Sequence, residues 1–205
     1  MEHIDVIFYI NLESRIDRKE HFLNEVKKLC IDDSKIVRID AVKDNNGALG
    51  CSKSHIKALE TFMENPLWNT CMIFEDDYTF YNTDIQNNND RLKEFFSNFT
   101  DWGILLLSSN KGGKSSIKTH ISCVELVSYS QTLSGYCIHK DSVNEIYENF
   151  KLSAKLLEKS NSKPTHAVDI YWNKLTMKRY SFTPNMGYQY SSFSDIEKRH
   201  VNYNC

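Results

Sequence analysis

An apolar run that ends abruptly in charge constrains the fold of this chain more than any other feature. Cys71-Met72-Ile73-Phe74 leads straight into Glu75-Asp76-Asp77. The first four residues suit a buried strand. Three adjacent carboxylates do not, because removing unpaired charge from water is costly. The chain therefore either leaves the core at Glu75 or meets positive charge there.

The neighbouring segments supply the sheet for such a strand. "IDVIFYI" (4–10) and "KIVRI" (35–39) are rich in β-branched and aromatic residues and read as strands. "WGILLLSS" (102–109) is a continuous apolar run, as in a sheet covered on both faces. Helices are expected between them. "NLESRIDRKEHFLNEVKKLC" places Phe22, Leu23, Val26 and Leu29 on one face, with Ser14 and Asp17 as a capping box. "CSKSHIKALETFMEN" carries Ile56, Leu59 and Met63 on one stripe, with Pro66 past its end, and "RLKEFFSNF" follows the third strand. Further on, "IKTHISCVELVS" is strand-like, "GYCIH" a short strand and "KDSVNEIYENFKLSAKLLEK" a long helix. "THAVDIYWNKLTM" reads as another helix, "RYSFT" as a late strand and "SSFSDIEKRHVNYNC" as a polar tail. Strand and helix alternate through the first half, which predicts an α/β fold with a mostly parallel central sheet flanked by helices.

At 205 residues the natural expectation is one domain. A net charge of −2 gives no basic footprint, so no nucleic acid is expected as a main partner. No run approaches the roughly 18 apolar residues of a membrane span. The opening segment enters a strand pattern and carries Asp5, which argues against a signal peptide. The six cysteines form no C-x-x-C pair, so a zinc knuckle or thioredoxin-type site is not expected, and Cys71 and Cys137 read as core thiols. A reducing, cytoplasmic compartment is the expectation.

In open α/β sheets ligands bind outside the carboxyl ends of the strands, where Glu75, Asp76 and Asp77 would lie. Carboxylates there suit a hard cation such as manganese or magnesium, which offsets charge on a departing diphosphate. Side chains alternate along an extended segment, so Glu75 and Asp77 should face the ligand together and Asp76 the other way. Asp77, further out, is the stronger metal candidate. The alternative is an acidic turn that merely follows a strand.

Several blocks, in order, carry a resemblance. "YINLESRIDR", "RIDAVKD", "LGCSKSHIKAL", "MIFEDDYTF", "WGILLLSS", "LSGYCIHKDSV", "VDIYW" and "YQYSSFSDI" together resemble glycosyltransferase family 25, which includes lipopolysaccharide and collagen galactosyltransferases. The resemblance spans nearly the whole chain. It implies a GT-A-like fold in which about 1–110 binds the nucleotide sugar and about 111–205 forms a smaller mixed acceptor-side region. It also implies inverting transfer of galactose or glucose from a UDP-sugar to a glycan or protein-linked acceptor. Glu75-Asp76-Asp77 would then be its metal and donor motif.

The remaining candidates follow from their chemistry and from that match. Asn11, Arg15 and Arg18 follow the first strand; a guanidinium matches phosphate geometry, while Arg18 could instead pair with a nearby acid. Asp44 (or Asp40) is a candidate for ribose or uracil, although Asn45 replaces the family's glycine. Ser54 and His55 open a helix near the donor; adjacent helix residues do not face each other, so they are no nucleophile and base. Gly135 would allow close approach to a sugar, or simply start a strand. Asp169 is the candidate general base, with His166 one turn earlier on the same helix face. Gln189, Ser194 and Asp195 match the C-terminal block, with Asp195 a further metal candidate. "SSNKGGKSS" lacks the first glycine of a P-loop, because position 108 is Ser108, and reads as a mobile loop. Trp102 and Trp172 could stack on sugars, although Trp102 heads an apolar strand. Rival readings are a haloacid-dehalogenase-type phosphatase, a catalytically silent nucleotide-sugar-binding module and a pure interaction protein. The first needs an aspartate nucleophile where this chain has Glu75.

Overall fold

The computed structural model describes residues 3–29, 31–81, 84–194 and 199–201. In chain order the elements are β1 (Val6–Asn11), α1 (Ile16–Val26), β2 (Ile36–Asp40), α2 (Gly47–Glu64), β3 (Thr70–Glu75), β4 (Tyr78–Phe80) and α3 (Ile85–Asn98). The second half contributes β5 (Ile104–Leu106), β6 (Ser116–Lys118), β7 (Val124–Val127), β8 (Gly135–His139) and α4 (Lys140–Ser160). Two short helices, α5 (Lys163–His166) and α6 (Val168–Tyr171), lead to β9 (Arg179–Phe182), β10 (Gly187–Gln189), β11 (Ser192–Ser194) and β12 (Arg199–Val201).

The chain adopts the expected α/β fold. One eight-stranded sheet has the order β2-β1-β3-β8-β5-β9-β7-β6. β1 lies parallel to both β2 and β3, and β5 parallel to β9. β8 is antiparallel to β3 and β5, and β7 to β9 and β6. Most strands thus share one direction, with β8 and β7 reversed, and the sheet is mixed rather than uniformly parallel.

Alternate residues of the central strands enter separate cores, as the period of two requires. Ile7, Tyr9, Met72 and Phe74 pack with Phe22 and Val26 of α1 and with Leu92 and Phe95 of α3. Val6, Phe8, Cys71 and Ile73 pack on the opposite face with Ala58, Leu59 and Phe62 of α2 and with Val143, Ile146 and Phe150 of α4. Each such apolar side chain contributes about 1.5–3 kcal/mol by burial. Both faces of the sheet are covered, which accounts for the continuous apolar strands.

Several local expectations are corrected. No Ser14–Asp17 capping box forms: Arg15 is the N-cap of α1 without a side-chain cap bond, and its guanidinium holds Asp17 at 2.9 and 3.0 Å. α2 begins at Gly47, ahead of the expected start, because the Asn46 side chain accepts from the Leu49 amide. The helix expected over 165–177 is broken at Ala167, whose ψ of 141° is extended. Part of the expected polar tail forms the antiparallel pair β11–β12.

Candidate functional site

β1 and β3 end side by side, and the turn Asp76-Asp77 between β3 and β4 sits over them. The positive partner that the acidic run demands is Arg18, from the first turn of α1. Its Nη1 lies 3.0 Å from Asp76 Oδ1 and 3.1 Å from Asp77 Oδ2. Asn11, at the end of β1, is buried and donates to Asp76 Oδ2 at 2.7 Å, while its Oδ1 accepts from Arg38. Gln189 of β10 donates to Glu75 Oε2 at 2.7 Å and to Asp77 Oδ1 at 3.3 Å. Gln189 thus ties Glu75 to Asp77, and Arg18 ties Asp77 to Asp76; residues 76–77 form a turn after β3, so strand alternation does not set Asp76 apart from the other two.

Beside Glu75 opens a cleft of about 330 Å³ at the carboxyl ends of the parallel strands. Cys51, Glu75, Gln189, Thr132, Lys163 and Asp169 are among the residues that line it. Asp169, on α6, thus shares the cleft with Glu75 despite its distance in sequence. The segment opposite is strapped in place: Ser130 O accepts from Trp172 Nε1 at 2.8 Å and from Asn173 Nδ2 at 3.0 Å, and Asn173 Oδ1 accepts from the Ser130 amide. That strap leads into Thr132, held at φ 75°, an uncommon conformation for a β-branched residue. Such strain persists only where surrounding structure imposes it. Thr132 and Asp169 both line the cleft.

The electrostatics follow from burial and crowding. Burial first, then the charge of Glu75, raises Asp77 to about 7, against the pull of Arg18. Burial likewise raises Asp76, although Arg18 and Asn11 oppose it. Burial followed by the charge of Glu75 raises Asp169. Glu75 goes the other way: burial pushes it up, but the neighbouring His55 ring, Arg18 and the Cys51 thiol bring it below its ordinary value. Of these carboxylates Glu75 and Asp169 line the cleft, and oxygen donors of that kind suit a hard divalent cation. Gln189 holds Asp77 next to Glu75 at the edge of that cleft.

Other expected residues are placed differently. Arg15 is occupied by Asp17 at the start of α1, rather than by the acidic turn. Asp44 bonds the Asn46 amide and Lys53 and does not line the cleft; those bonds lower its carboxyl. Ser54 is a buried fastener, accepting from the Val42 amide at 2.8 Å and donating to Gly50 O at 2.7 Å. His55 is fully buried, with Nδ1 2.9 Å from the Tyr136 hydroxyl and Nε2 directed at Glu75. Gly135 faces the core: a Cβ there would stand 2.7 Å from the Tyr78 ring. His166 does not share a face with Asp169 across the break at Ala167; its Nδ1 meets Ser160 Oγ at 2.8 Å. Trp102 and Trp172 are core residues and are not free to stack on a sugar. Asp195 lies outside the described residues, and Ser194 is described as part of β11 only.

Cys51, Thr132 and Lys163 were missed by the sequence reading. Cys51 stands four residues before His55, a helical spacing that puts both on one face and was available as a signal. Nothing in sequence marks the backbone of Thr132.

The fold and site together define an α/β protein with a carboxylate-lined cleft at the ends of its parallel strands. No family model matches the chain, and no curated protein matches it. It is similar in architecture to the solved structure of A197 from STIV, at 13% identity, over 97% of this chain and 93% of that one, with a TM-score of 0.49. It is also similar to a glycosyltransferase involved in glycosylation of the major capsid of PBCV-1, at 12% identity, covering 78% and 70%, with a TM-score of 0.47. A third is a Drosophila β-1,4-galactosyltransferase 7 mutant in complex with manganese, UDP-Gal and xylobiose, at 7% identity, covering 97% and 75%, with a TM-score of 0.44.

Proposed function

We propose that this protein is an inverting hexosyltransferase that moves galactose or glucose from a UDP-sugar to a hydroxyl of a glycan or protein-linked acceptor. The observation that carries the reading is the placing of Glu75 and Asp169 on one cleft at the carboxyl ends of the strands, with Gln189 tying Asp77 to Glu75. The ordered sequence blocks that resemble glycosyltransferase family 25 support the same reading. In it, about 1–110 forms the donor-binding half and about 111–205 the acceptor side.

Asp169 is the general base. Its carboxylate takes the proton of the acceptor hydroxyl, whose oxygen attacks the anomeric carbon from the face opposite the diphosphate. The bond from that carbon to the diphosphate oxygen breaks, and UDP leaves with the electron pair. Base assistance of this kind contributes roughly 10²–10⁴ in rate. Its raised proton affinity, from burial and from Glu75, fits a group that must accept a proton. Thr132, held at φ 75°, lines the cleft with that carboxylate. Arg18 and Asn11 hold the acidic turn, and Gln189 holds Glu75 and Asp77 together. Manganese or magnesium, held by Asp77 and Glu75, would supply Lewis-acid neutralisation of charge on the diphosphate.

The test is a panel of nucleotide sugars with manganese, scored for transfer and for donor hydrolysis. Wild type should turn over a UDP-hexose, Asp169→Asn should lose transfer about 10²-fold or more, and Asp77→Asn should lose manganese dependence. Binding of UDP without transfer or hydrolysis would favour a silent binding module. Phosphatase activity without a nucleotide sugar would overturn the reading.

A further inference from the structure

We propose that Cys51, His55 and Glu75 form a binding site for a thiophilic divalent cation, zinc being the natural occupant, with a fourth position open to the cleft. This goes beyond the hexosyltransferase reading, whose cation is hard and oxygen-bound and has only Glu75 in common with this site. Cys51 and His55 sit four apart on α2 and point the same way, toward the end of β3. Cys51 Sγ is 3.6 Å and His55 Nε2 3.5 Å from Glu75 Oε1. All three ligand atoms lie within 4.8 Å of one another. A tetrahedral zinc with bonds of about 2.0–2.3 Å spaces such ligands roughly 3.3–3.7 Å apart, so the two measured edges already match.

The second observation is the state of His55. The residue is fully buried, and Nε2 has no hydrogen-bond partner, since its approach to Glu75 lacks hydrogen-bond geometry. A buried polar atom left in that condition is costly, and a metal bond satisfies it. The supports expected of a metal site are also present. Tyr136 OH, 2.9 Å from Nδ1, fixes the ring so that Nε2 faces the cavity. Gln189 holds Glu75 by Oε2, leaving Oε1 for the cation. Cys51 and Glu75 line the cleft, so the remaining position faces it and can take water or a ligand. On binding, the metal–sulfur bond replaces the Cys51 S–H bond and the proton passes to solvent. Imidazole and thiolate select zinc or cobalt(II) over magnesium and manganese.

Cobalt(II) titrated into the intact protein without nucleotide tests this directly. One equivalent should produce a thiolate-to-cobalt charge-transfer band that zinc abolishes by displacement. Cys51→Ser should lose the band and Cys123→Ser should keep it. Tyr136→Phe, which touches no ligand atom, should weaken cobalt binding about 10- to 100-fold. His55→Gln should lose the band as well; if that variant does not fold, Cys51→Ser and Tyr136→Phe decide. A protein that shows no such band, or one that keeps it in Cys51→Ser, overturns the site. No sugar transfer enters the readout, so failure here and failure of the transferase reading are separable.

Discussion

Asp77 is held between opposed influences, and its titration reports on them. Its carboxyl lies at about 7 in the folded protein against an ordinary 3.8, because burial and Glu75 outweigh Arg18. The folded state therefore keeps a proton that the unfolded chain releases between those values. Stability from this group is fully present below about pH 4 and is lost as pH rises toward 7. Asp76 and Asp169 shift in the same sense, so wild type should lose stability across that window by more than one group. Urea unfolding at pH 5 and pH 8 should show a shallower loss for Asp77→Asn than for wild type; equal slopes would contradict the crowding described. That charge would meet a partner at the end of the apolar run was legible; the facing of Asp76 and Asp77 was not, because the chain turns there instead of continuing as a strand. The match of Arg18 to both aspartates was legible only as one of two options, since sequence does not say which acid a helix-borne guanidinium will reach.

At the scale of elements, two contacts seat the site. Gly135 starts β8 against the Tyr78 and Phe74 rings, and a Cβ would come within 2.7 and 3.1 Å of them. Gly135→Ala should cost about 1–3 kcal/mol by overpacking, read from its denaturation midpoint. Asn46 caps α2 and also donates to Asn161 Oδ1 at 2.7 Å, at the left-handed C-cap of α4. Asn46→Ala should cost about 0.5–2 kcal/mol and loosen the helix that carries Cys51 and His55. An unchanged midpoint in either variant would contradict the packing. Most strands and helices were legible because their periodicity is local. The reversal of β8 was not: an apolar "GYCIH" reads the same in either direction, and only the tertiary order fixes it. The break at Ala167 was hidden for a related reason, since the helical pattern of "THAVDIYWNKLTM" continues through a residue whose backbone is set by packing.

Across the whole molecule, the end of β3, the helix before it, β10 and the short helices far along the chain meet on a single cleft. Among the described residues no helix is long and apolar enough to cross a membrane. The acidic end of the cleft could be read from sequence; its far wall, with Thr132 and Lys163, could not, because only closure of the sheet brings it there. Calorimetric titration of UDP into the protein, with and without manganese, tests the central claim most directly. The account predicts manganese-dependent binding in wild type, and about 2.7 kcal/mol of added stability at 100 times the dissociation constant. In Asp77→Asn the manganese dependence should disappear. Binding that is equally strong without the metal, or undiminished in Asp77→Asn, would contradict it.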